Sequence, residues 1–296
     1  MIRVLQFGAT GQVARETIRR AAELEVEVIS LDRARADFLH PEQVAAAVKG
    51  AKGVDLVLNA AAYTAVDKAE RDQAAAHLVN AESVGALARA CAARGLPLIH
   101  VSTDYVYDGE KPTPYVEADT TGPLSVYGHT KLAGENAIRD SGARHAILRT
   151  SWIYSAWGNN FLKTMLRLGV ERDELRIVDD QKGAPTAAGD LADAMLIVAQ
   201  ALVRDPTKSG TYHCTASGET TWRFFAEAIF EQTSAKIRAR VIPIAAKDYP
   251  TAAVRPRNSR LDCTKLHDTF GILMRPWRTA MADVLVELNS QAVFDV

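Results

Sequence analysis

The stretch Gly8-Ala9-Thr10-Gly11-Gln12-Val13-Ala14 separates a mostly apolar run, residues 2–7, from a helical pattern that extends to residue 24. Gly8 permits a tight turn, Gly11 lets the backbone approach a pyrophosphate, and the small Ala14 lets helix and strand pack closely. The helix N-terminus then faces the anion. The first two glycines are three residues apart, so the strict G-x-G-x-x-G spacing is not met and a simple glycine turn is the alternative. The stretch predicts the strand, turn and helix that cradle a dinucleotide.

A second apolar run, residues 26–31, ends in Asp32, at the distance expected for a carboxylate that reaches the adenosine ribose 2′-hydroxyl. Arg33 stands next to it. An aspartate favours the unphosphorylated ribose of NADH, whereas an adjacent arginine can pair with the 2′-phosphate of NADPH. The sequence therefore predicts NADPH or NADH as cofactor and leaves the choice between them open.

Strand and helix patterns alternate through the first half of the chain, which predicts parallel strands joined by right-handed crossovers. The expected fold class is α/β, a doubly wound parallel sheet of the Rossmann type with a smaller mixed α/β C-terminal lobe. Residues 1–150 are the predicted dinucleotide-binding domain and residues 151–296 mainly a substrate-binding lobe, from which some segments can return to the sheet. The strands are expected near 2–7, 26–31, 54–59, 97–102 and 145–150, with helices near 12–24, 41–49, 67–94, 126–140 and 160–170.

Composition agrees with an enzyme of this kind. The 296 residues, 48% of them hydrophobic, are enough for a large buried core, and the net charge of −1 gives no general attraction for nucleic acid or anionic membranes. Three scattered cysteines look like ordinary thiols of a reducing compartment. The chain enters its first strand directly after Met1, and no apolar run approaches the roughly 18 residues of a membrane span. We expect a cytoplasmic protein with no nucleic-acid or membrane partner.

Two further strand ends carry candidate site residues, because ligands bind at the carboxyl edge of such sheets. One strand runs into the small-residue loop 59–64, which allows close approach to a cofactor; a helix start chosen for packing is the alternative. Another apolar strand ends in Ser102-Thr103-Asp104-Tyr105. The Thr103 hydroxyl at that strand end could donate to a substrate carbonyl or serve only as a cap.

Tyr127 and Lys131 are four residues apart on a predicted helix and therefore project from one face. A phenol has a pKa of about 10, and an ammonium beside it favours the phenolate and lowers that pKa. The pair suits proton donation to a substrate, although this spacing alone is common on solvated helix surfaces.

Three arginines, Arg255, Arg257 and Arg260, lie in one loop, where an extended backbone places Arg255 and Arg257 on the same side. Guanidinium groups bind diphosphate well. A solvated basic loop is the alternative.

These segments, taken together and in order, resemble the dTDP-4-dehydrorhamnose reductase family of extended short-chain dehydrogenases/reductases. The matching segments cover nearly the whole chain: Gly8 to Gln12, Asn59 to Glu70, Ser102 to Tyr107, Tyr127 to Glu135, Arg149 to Tyr154, Gly158 to Phe161, Asp180 to Thr186, and Arg255 to Leu261.

The resemblance implies reduction of the C4 ketone of dTDP-4-dehydro-6-deoxy-L-mannose by NAD(P)H to give dTDP-L-rhamnose. It implies that Tyr127 donates the proton, that Lys131 holds the nicotinamide ribose, and that Thr103 polarises the carbonyl. Cofactor contacts are expected at Gly8, Gly11, Gln12, Val13, Asp32, Arg33, Asp37, Phe38, Ala62, Tyr63, Thr64, Tyr127 and Lys131. Substrate contacts are expected at Thr103, Asp104, Trp152, Asn160, Phe161, Lys163, Gln181, Arg255, Asn258 and Arg260.

One departure from the family concerns metal. Some relatives join two subunits through a cation bound by carboxylates at positions matching Glu16, Gly189 and Glu287, but the middle residue here is glycine, with Asp190 beside it. An aspartate shifted by one helical residue points about 100° away. We therefore expect no metal site; a homodimer stays open, with a metal bridge unsupported.

Two other functions remain as alternatives. A related nucleotide-sugar 4-reductase or 4-epimerase would share Tyr127 and Lys131 and differ in the substrate lobe. A non-catalytic NADP-binding regulatory subunit of methionine adenosyltransferase is a branch of the same family, although intact Thr103, Tyr127 and Lys131 argue against it.

Overall fold

The computed structural model describes the backbone of residues 1–294 and the side chains of residues 1–290. Its strands are β1 (Ile2–Phe7), β2 (Val26–Leu31), β3 (Leu56–Asn59), β4 (Leu98–Thr103), β5 (His145–Thr150), β6 (Ile153–Tyr154), β7 (Glu174–Val178), β8 (Lys182–Gly183), β9 (Thr186–Ala187), β10 (Gly210–His213), β11 (Thr220–Thr221) and β12 (Arg240–Ile244). Its helices are α1 (Gln12–Ala21), α2 (Pro41–Gly50), α3 (Val66–Ala69), α4 (Gln73–His77), α5 (Ser83–Arg94), α6 (Val126–Asp140), α7 (Phe161–Glu171), α8 (Ala188–Arg204), α9 (Trp222–Gln232), α10 (Thr264–Phe270) and α11 (Trp277–Phe294). None of these described helices is long and apolar enough to span a membrane.

Six parallel strands form the central sheet in the order β10-β5-β4-β3-β1-β2. The chain passes from β1 outward to β2 and then crosses to β3 on the other side of β1, so the order reverses between β1 and β3. The loops that follow these two strands therefore diverge and leave a crevice at their carboxyl ends. The predicted doubly wound parallel sheet is confirmed.

Both faces of the sheet are covered, as the alternation of side chains along a strand requires. Val4 packs in the core beneath α1 and α8, whereas its neighbour Leu5 packs in the core beneath α2 and α5. This two-sided burial is the reason that the strands are apolar runs rather than alternating polar and apolar residues.

The predicted continuous helix over 67–94 is wrong at its N-terminal half. The segment contains α3, α4 and a π-helical turn, Leu78–Glu82, before α5 begins. Asn80 lies in this turn and is fully buried; its side chain accepts from the Tyr63 N–H at 2.8 Å and donates to the Tyr63 carbonyl and the Thr130 hydroxyl, both at 3.1 Å. Gly134 of α6 makes room for the Asn80 carbonyl, which a Cβ there would meet directly. These contacts with residues distant in sequence stabilise the π-helical turn in place of a continuous α-helix.

The C-terminal half contributes one strand to the central sheet and a smaller core of its own. β10 pairs with β5 in parallel. The other strands form short pairs, β12 with β7, β11 with β8 and β6 with β9, and α7, α9 and α11 pack around Phe225 and Met281. The division of the chain at residue 150 stays a prediction.

A buried ion pair joins α6 to the sheet. Arg149 of β5 binds Glu135 through two hydrogen bonds, Nε to Oε1 at 2.9 Å and Nη2 to Oε2 at 2.6 Å, with side-chain exposures of 3% and 0%. Ser102 and Arg139 also donate to Glu135, both at 2.6 Å. Burial alone would raise the pKa of Glu135, but the bonds and charge of Arg149 outweigh burial and hold that pKa below its usual value. The helix is thereby fixed against the strand end.

We expect Glu135→Gln to lower the free energy of unfolding by about 3–5 kcal/mol, because it leaves the buried Arg149 charge without its carboxylate. Chemical denaturation at pH 7 measures this. The control is Glu171→Gln, which breaks an exposed pair with Arg167 (60% and 48% exposed) and should cost about 0–1 kcal/mol. Equal effects of the two substitutions would show that the Glu135 pair does not fix α6.

Candidate active site

A cleft of about 1090 Å³ lies at the carboxyl edge of the sheet, in the crevice between the diverging loops. Its walls are the loops after β1, β2, β3 and β4, the end of β5 and the first turns of α6. All of the predicted cofactor residues line it, namely Gly8, Gly11, Gln12, Val13, Asp32, Arg33, Asp37, Phe38, Ala62, Tyr63, Thr64, Tyr127 and Lys131.

The glycine turn has the geometry of a pyrophosphate cradle. Gly8 has φ +97°, a conformation that strains other residues, and a Cβ there would lie 3.3 Å from the Ala60 carbonyl carbon. Gly11 caps the N-terminus of α1, and a Cβ on it would meet no atom within 4 Å. The first residues of α1, whose N–H groups have no partner within the helix, line the cleft.

The far end of the cleft carries the residues expected at the adenosine ribose. Asp32 accepts from the Arg35 N–H at 3.1 Å, and Arg33 is 72% exposed and pairs with Asp37 at 3.0 Å. Hydrogen bonding by the Leu39 N–H is the main cause that holds the pKa of Asp37 below its usual value. Phe38 is buried edge-on against Phe7, with ring centroids 5.7 Å apart. A carboxylate and an exposed guanidinium thus stand side by side.

Thr103, Tyr127 and Lys131 converge on the opposite end of the cleft. Ser125 caps α6 by accepting from the Gly128 N–H at 3.2 Å, which starts the helix next to the loop after β4. The Tyr127 ring packs edge-on against Tyr105, with centroids 5.5 Å apart.

The expected effect of Lys131 on Tyr127 is wrong for this structure. Burial raises the pKa of Tyr127 to about 12, only partly offset by the nearby Thr103 hydroxyl. Lys131 Nζ instead binds the Val101 carbonyl at 2.7 Å and His100 Nε2 at 3.0 Å, and burial lowers the pKa of Lys131 to about 8. Both groups are desolvated, and the lysine points toward β4 rather than toward the phenol.

Asp104 is a second buried group at this end. Its Oδ1 accepts from the Thr103 hydroxyl at 3.1 Å, and the Ser259 side chain also hydrogen-bonds to the carboxyl and acts to lower its pKa. Burial raises the pKa of Asp104 to about 6.

Trp152 forms an aromatic platform in the cleft. It has φ +52°, an uncommon value for a bulky residue, and its indole stacks on Trp222 with centroids 3.6 Å apart. Gln181 accepts from the Trp222 indole N–H at 3.1 Å, and Phe161 tilts against the same ring at 4.7 Å. Trp222 was missed by the sequence reasoning; the only signal for it is an aromatic residue directly after a helix cap, Thr221.

Asn160 and Lys163 lie outside the set of residues that line the cleft. Asn160 caps α7 by accepting from the Lys163 N–H at 3.0 Å and donates to the Gln12 side chain at 2.9 Å. Lys163 Nζ donates to the Ala156 carbonyl at 3.0 Å. These bonds brace the glycine turn from behind, and direct contact with substrate stays a prediction.

The arginine loop is divided between two places. Arg255 pairs with Asp67 at 2.6 Å and lies near Tyr105, close to the cleft. Arg260 pairs with Glu219 at 2.8 Å and lines a separate cavity of about 470 Å³. Asn258 holds the loop by donating to the carbonyls of Lys111 and Thr113 at 2.7 and 2.8 Å. Arg257, between them, is exposed.

The carboxylates at which the resemblance raised the question of a metal bridge are engaged by arginines. Glu16 binds Arg19 and Arg20 at 2.5 and 3.3 Å, and the Arg20 guanidinium occupies the space that a side chain at Gly189 would need. Asp190 pairs with Arg275 at 2.6 Å. The described residues contain no group of three or more metal-ligating side chains.

A Rossmann sheet with a glycine cradle, and a Tyr and a Lys one helical turn apart in the same cleft, define the class of the protein as an extended short-chain dehydrogenase/reductase. The family described as "RmlD substrate binding domain" matches residues 2–290. The dTDP-4-dehydrorhamnose reductase of Sinorhizobium fredii is 45% identical over 93% of this chain and 94% of that protein. The chain belongs to the dTDP-4-dehydrorhamnose reductase family.

Solved structures agree with this assignment. The dTDP-4-dehydrorhamnose reductase of Clostridium acetobutylicum superposes with a TM-score of 0.90 at 37% identity, covering 97% of this chain and 100% of that one. The enzyme of Bacillus anthracis, solved in complex with NADP, superposes with a TM-score of 0.88 at 33% identity and the same coverage.

We expect Asp104→Asn to stabilise the protein in a pH-dependent way. A carboxyl whose folded pKa is raised from 3.8 to about 6 stabilises the fold below pH 4 and loses that contribution as pH rises through 6. The variant should therefore gain stability over wild type between pH 4.5 and 7, by about 1–3 kcal/mol. Urea titrations across this range measure it, with the exposed Asp268→Asn as control. A difference that does not change with pH would contradict the raised pKa.

Proposed function

We propose that this chain catalyses the NAD(P)H-dependent reduction of the C4 ketone of dTDP-4-dehydro-6-deoxy-L-mannose (dTDP-4-dehydrorhamnose), giving dTDP-L-rhamnose. The observation that carries the proposal is the convergence of Thr103, Tyr127 and Lys131 in the same cleft as the Gly8 to Gly11 cradle. The similar proteins of Sinorhizobium fredii and Clostridium acetobutylicum are dTDP-4-dehydrorhamnose reductases, and the sugar nucleotide is inferred from them.

The residues of the cleft fit a dinucleotide. The N–H groups at the start of α1 would hold the diphosphate of the dinucleotide. Asp32 and Arg33 would bind its adenosine ribose. Lys131, buried beside the Tyr127 end, would hold the nicotinamide ribose. NADPH or NADH supplies a hydride when bound, which is the chemistry that ketone reduction needs.

Tyr127 would donate the proton to the oxygen of the reduced ketone. A phenol whose pKa lies near 12 is fully protonated at neutral pH, so the donor is ready in the resting site. Thr103, after exchanging its bond with Asp104 for the ligand, would donate a hydrogen bond to the same oxygen and polarise the carbonyl. Lys131, with a pKa of about 8, carries a proton that can be exchanged in the working pH range.

Substrate binding would combine stacking and charge. The Trp152 indole, held flat by Trp222, offers a hydrophobic face to the sugar ring. Arg255, at the rim beside Tyr105, would bind the diphosphate after exchanging its bond with Asp67 for the ligand. Arg260 would serve the nucleotide only if the substrate also reaches the smaller cavity.

The experiment follows NAD(P)H oxidation with dTDP-4-dehydro-6-deoxy-L-mannose beside its UDP and GDP analogues. The proposal expects stoichiometric oxidation and a preference for the dTDP sugar. A 4-epimerase would interconvert C4 epimers without net oxidation, and a regulatory subunit would bind NADPH without turnover. Either result would replace the proposed activity with the corresponding alternative.

We infer a cytoplasmic location from the three cysteines, all free thiols. A homodimer stays a prediction that light scattering can test.

Tyr127→Phe should keep cofactor affinity and lose most turnover, by about 10²-fold or more, because the ring still packs while the proton donor is gone. Fluorescence titration with NADPH and single-turnover kinetics separate the two effects. The matched control is Tyr154→Phe, which removes a fully buried hydroxyl that has no hydrogen-bond partner among the described residues and lies outside the cleft lining. Near-wild-type turnover in Tyr127→Phe would disprove its role.

Arg33→Ala should shift the ratio of kcat/KM toward NADH by about fivefold, because an exposed guanidinium contributes only about 1 kcal/mol to binding the 2′-phosphate. Asp32→Ala should shift the ratio toward NADPH by a similar factor. Both ratios are measured at fixed ionic strength. Arg35→Ala is the control, since Arg35 is exposed in the same loop but does not line the cleft. Unchanged ratios in both variants would mean that neither side chain reaches the ribose.

A further inference from the structure

A chain of three buried side chains runs from the cofactor loop to the catalytic helix. Asn59, at the end of β3, donates from Nδ2 to Nδ1 of His100 on β4 at 3.0 Å, and His100 Nε2 lies 3.0 Å from Lys131 Nζ on α6. All three residues are at most 1% exposed. Sequence reasoning did not single out Asn59 or His100 individually.

The orientation of the Asn59 side-chain amide is fixed by its contact with the Ala61 backbone. The Ala61 N–H donates to Asn59 Oδ1 at 3.0 Å. A backbone N–H cannot face an amide NH2 group, so Nδ2 of Asn59 must face His100. Because that NH2 group is only a donor, Nδ1 of His100 must accept.

The tautomer of His100 follows from this. Burial, reinforced by the charge of Lys131, holds the pKa of His100 far below its usual value, so the ring is neutral. A neutral imidazole that accepts at Nδ1 carries its proton on Nε2. That Nε2–H points at Lys131 Nζ, which itself donates to the Val101 carbonyl at 2.7 Å.

The two protonation states of Lys131 require opposite tautomers of His100. A neutral amine has a lone pair and can accept from Nε2–H, whereas an ammonium has only donors. The ammonium therefore requires the other tautomer, with the proton on Nδ1. That proton faces Asn59 Nδ2, so the amide must turn and give up its bond with the Ala61 N–H.

The surrounding charges do not remove this constraint. On α6, Glu135 favours the ammonium, but its oxygens are bound by Arg149 of β5, Arg139 and Ser102. Tyr127, on the same helix, is protonated at neutral pH. Asp104, beyond the end of β4, interacts with Tyr127 and is not among the groups that act on Lys131.

We propose that His100 is a positioning residue whose tautomer follows the charge of Lys131: each protonation of Lys131 reverses the His100 tautomer and turns the Asn59 amide. Lys131 gains one proton overall, drawn from solvent, and His100 keeps one proton throughout. The Asn59 to Ala61 segment abuts Gly8, so the charge of Lys131 is coupled to the dinucleotide cradle. The functional meaning rests on the reductase activity proposed above, but the tautomer switch does not.

Nitrogen-15 NMR of histidine-labelled protein tests the switch without any turnover, because protonated and bare ring nitrogens have well-separated shifts. Above pH 9 we expect His100 with a protonated Nε2 and a bare Nδ1. As pH falls through about 8, where Lys131 titrates, the two nitrogens should exchange character with no imidazolium formed. The single substitution His100→Gln assigns the signals.

His213 is an internal control. Its Nδ1 lies 3.1 Å from the Asp262 carbonyl, which can only accept, and its Nε2 lies 2.8 Å from the Tyr107 hydroxyl. It should stay protonated at Nδ1 at every pH. A His100 ring that stays in one tautomer across pH 6.5–9.5, or that becomes imidazolium, would overturn the proposal even if the enzyme is active.

A functional measurement separates positioning from mere packing. His100→Gln places an amide near the Nε2 position, whose oxygen can accept from an ammonium, so the pKa of Lys131 should rise by about one unit. The basic limb of the pH profile of kcat/KM should move to higher pH by the same amount. The control variant His77→Gln, at an exposed histidine, should leave that limb in place. A folded His100→Gln variant with an unmoved limb would contradict the role of His100.

Discussion

The buried pair of Glu135 and Arg149 is the interaction on which the site depends. Tyr127, Lys131 and Glu135 follow one another at four-residue intervals on α6, so they share one face of the helix. Anchoring Glu135 to β5 therefore sets the rotation and height of the other two side chains. β5 ends at Thr150, directly after Arg149, and the chain continues into Ser151 and Trp152. One ion pair thus positions both Tyr127, the proton donor, and Trp152, the platform for the sugar. A shift at this pair would displace both side chains.

The fold was predictable because its signals are local. Apolar runs of strand length, helical patterns between them and the glycine turn after β1 depend on neighbouring residues only. The helix over 67–94 could not be predicted correctly, since the π-helical turn at Asn80 is stabilised by Tyr63 and Thr130 and needs the missing side chain of Gly134. These partners come from other parts of the chain, and no period in the sequence reports them.

Which residues form the site could be predicted from the sequence better than the orientation of their side chains. The spacing of Tyr127 and Lys131 correctly placed both in one cleft, but the partner of Lys131 is His100, one strand away, and burial dominates both pKa values. Asn160 illustrates the same limit: the family resemblance implied that it contacts substrate, whereas its use as a helix cap that holds Gln12 requires the folded loop. Trp222 emerges only from the stacking of two distant rings.

The central claim is that this cleft presents Tyr127 and Thr103 to the C4 oxygen of a dTDP sugar. A crystal structure of the protein with NADP⁺ and dTDP-L-rhamnose measures it directly. We expect the sugar O4 within about 2.6–3.2 Å of the Tyr127 phenol oxygen, within hydrogen-bond reach of Thr103, and the sugar ring over Trp152. A sugar bound in the smaller cavity beside Arg260, or one whose C4 oxygen lies away from Tyr127, would contradict it.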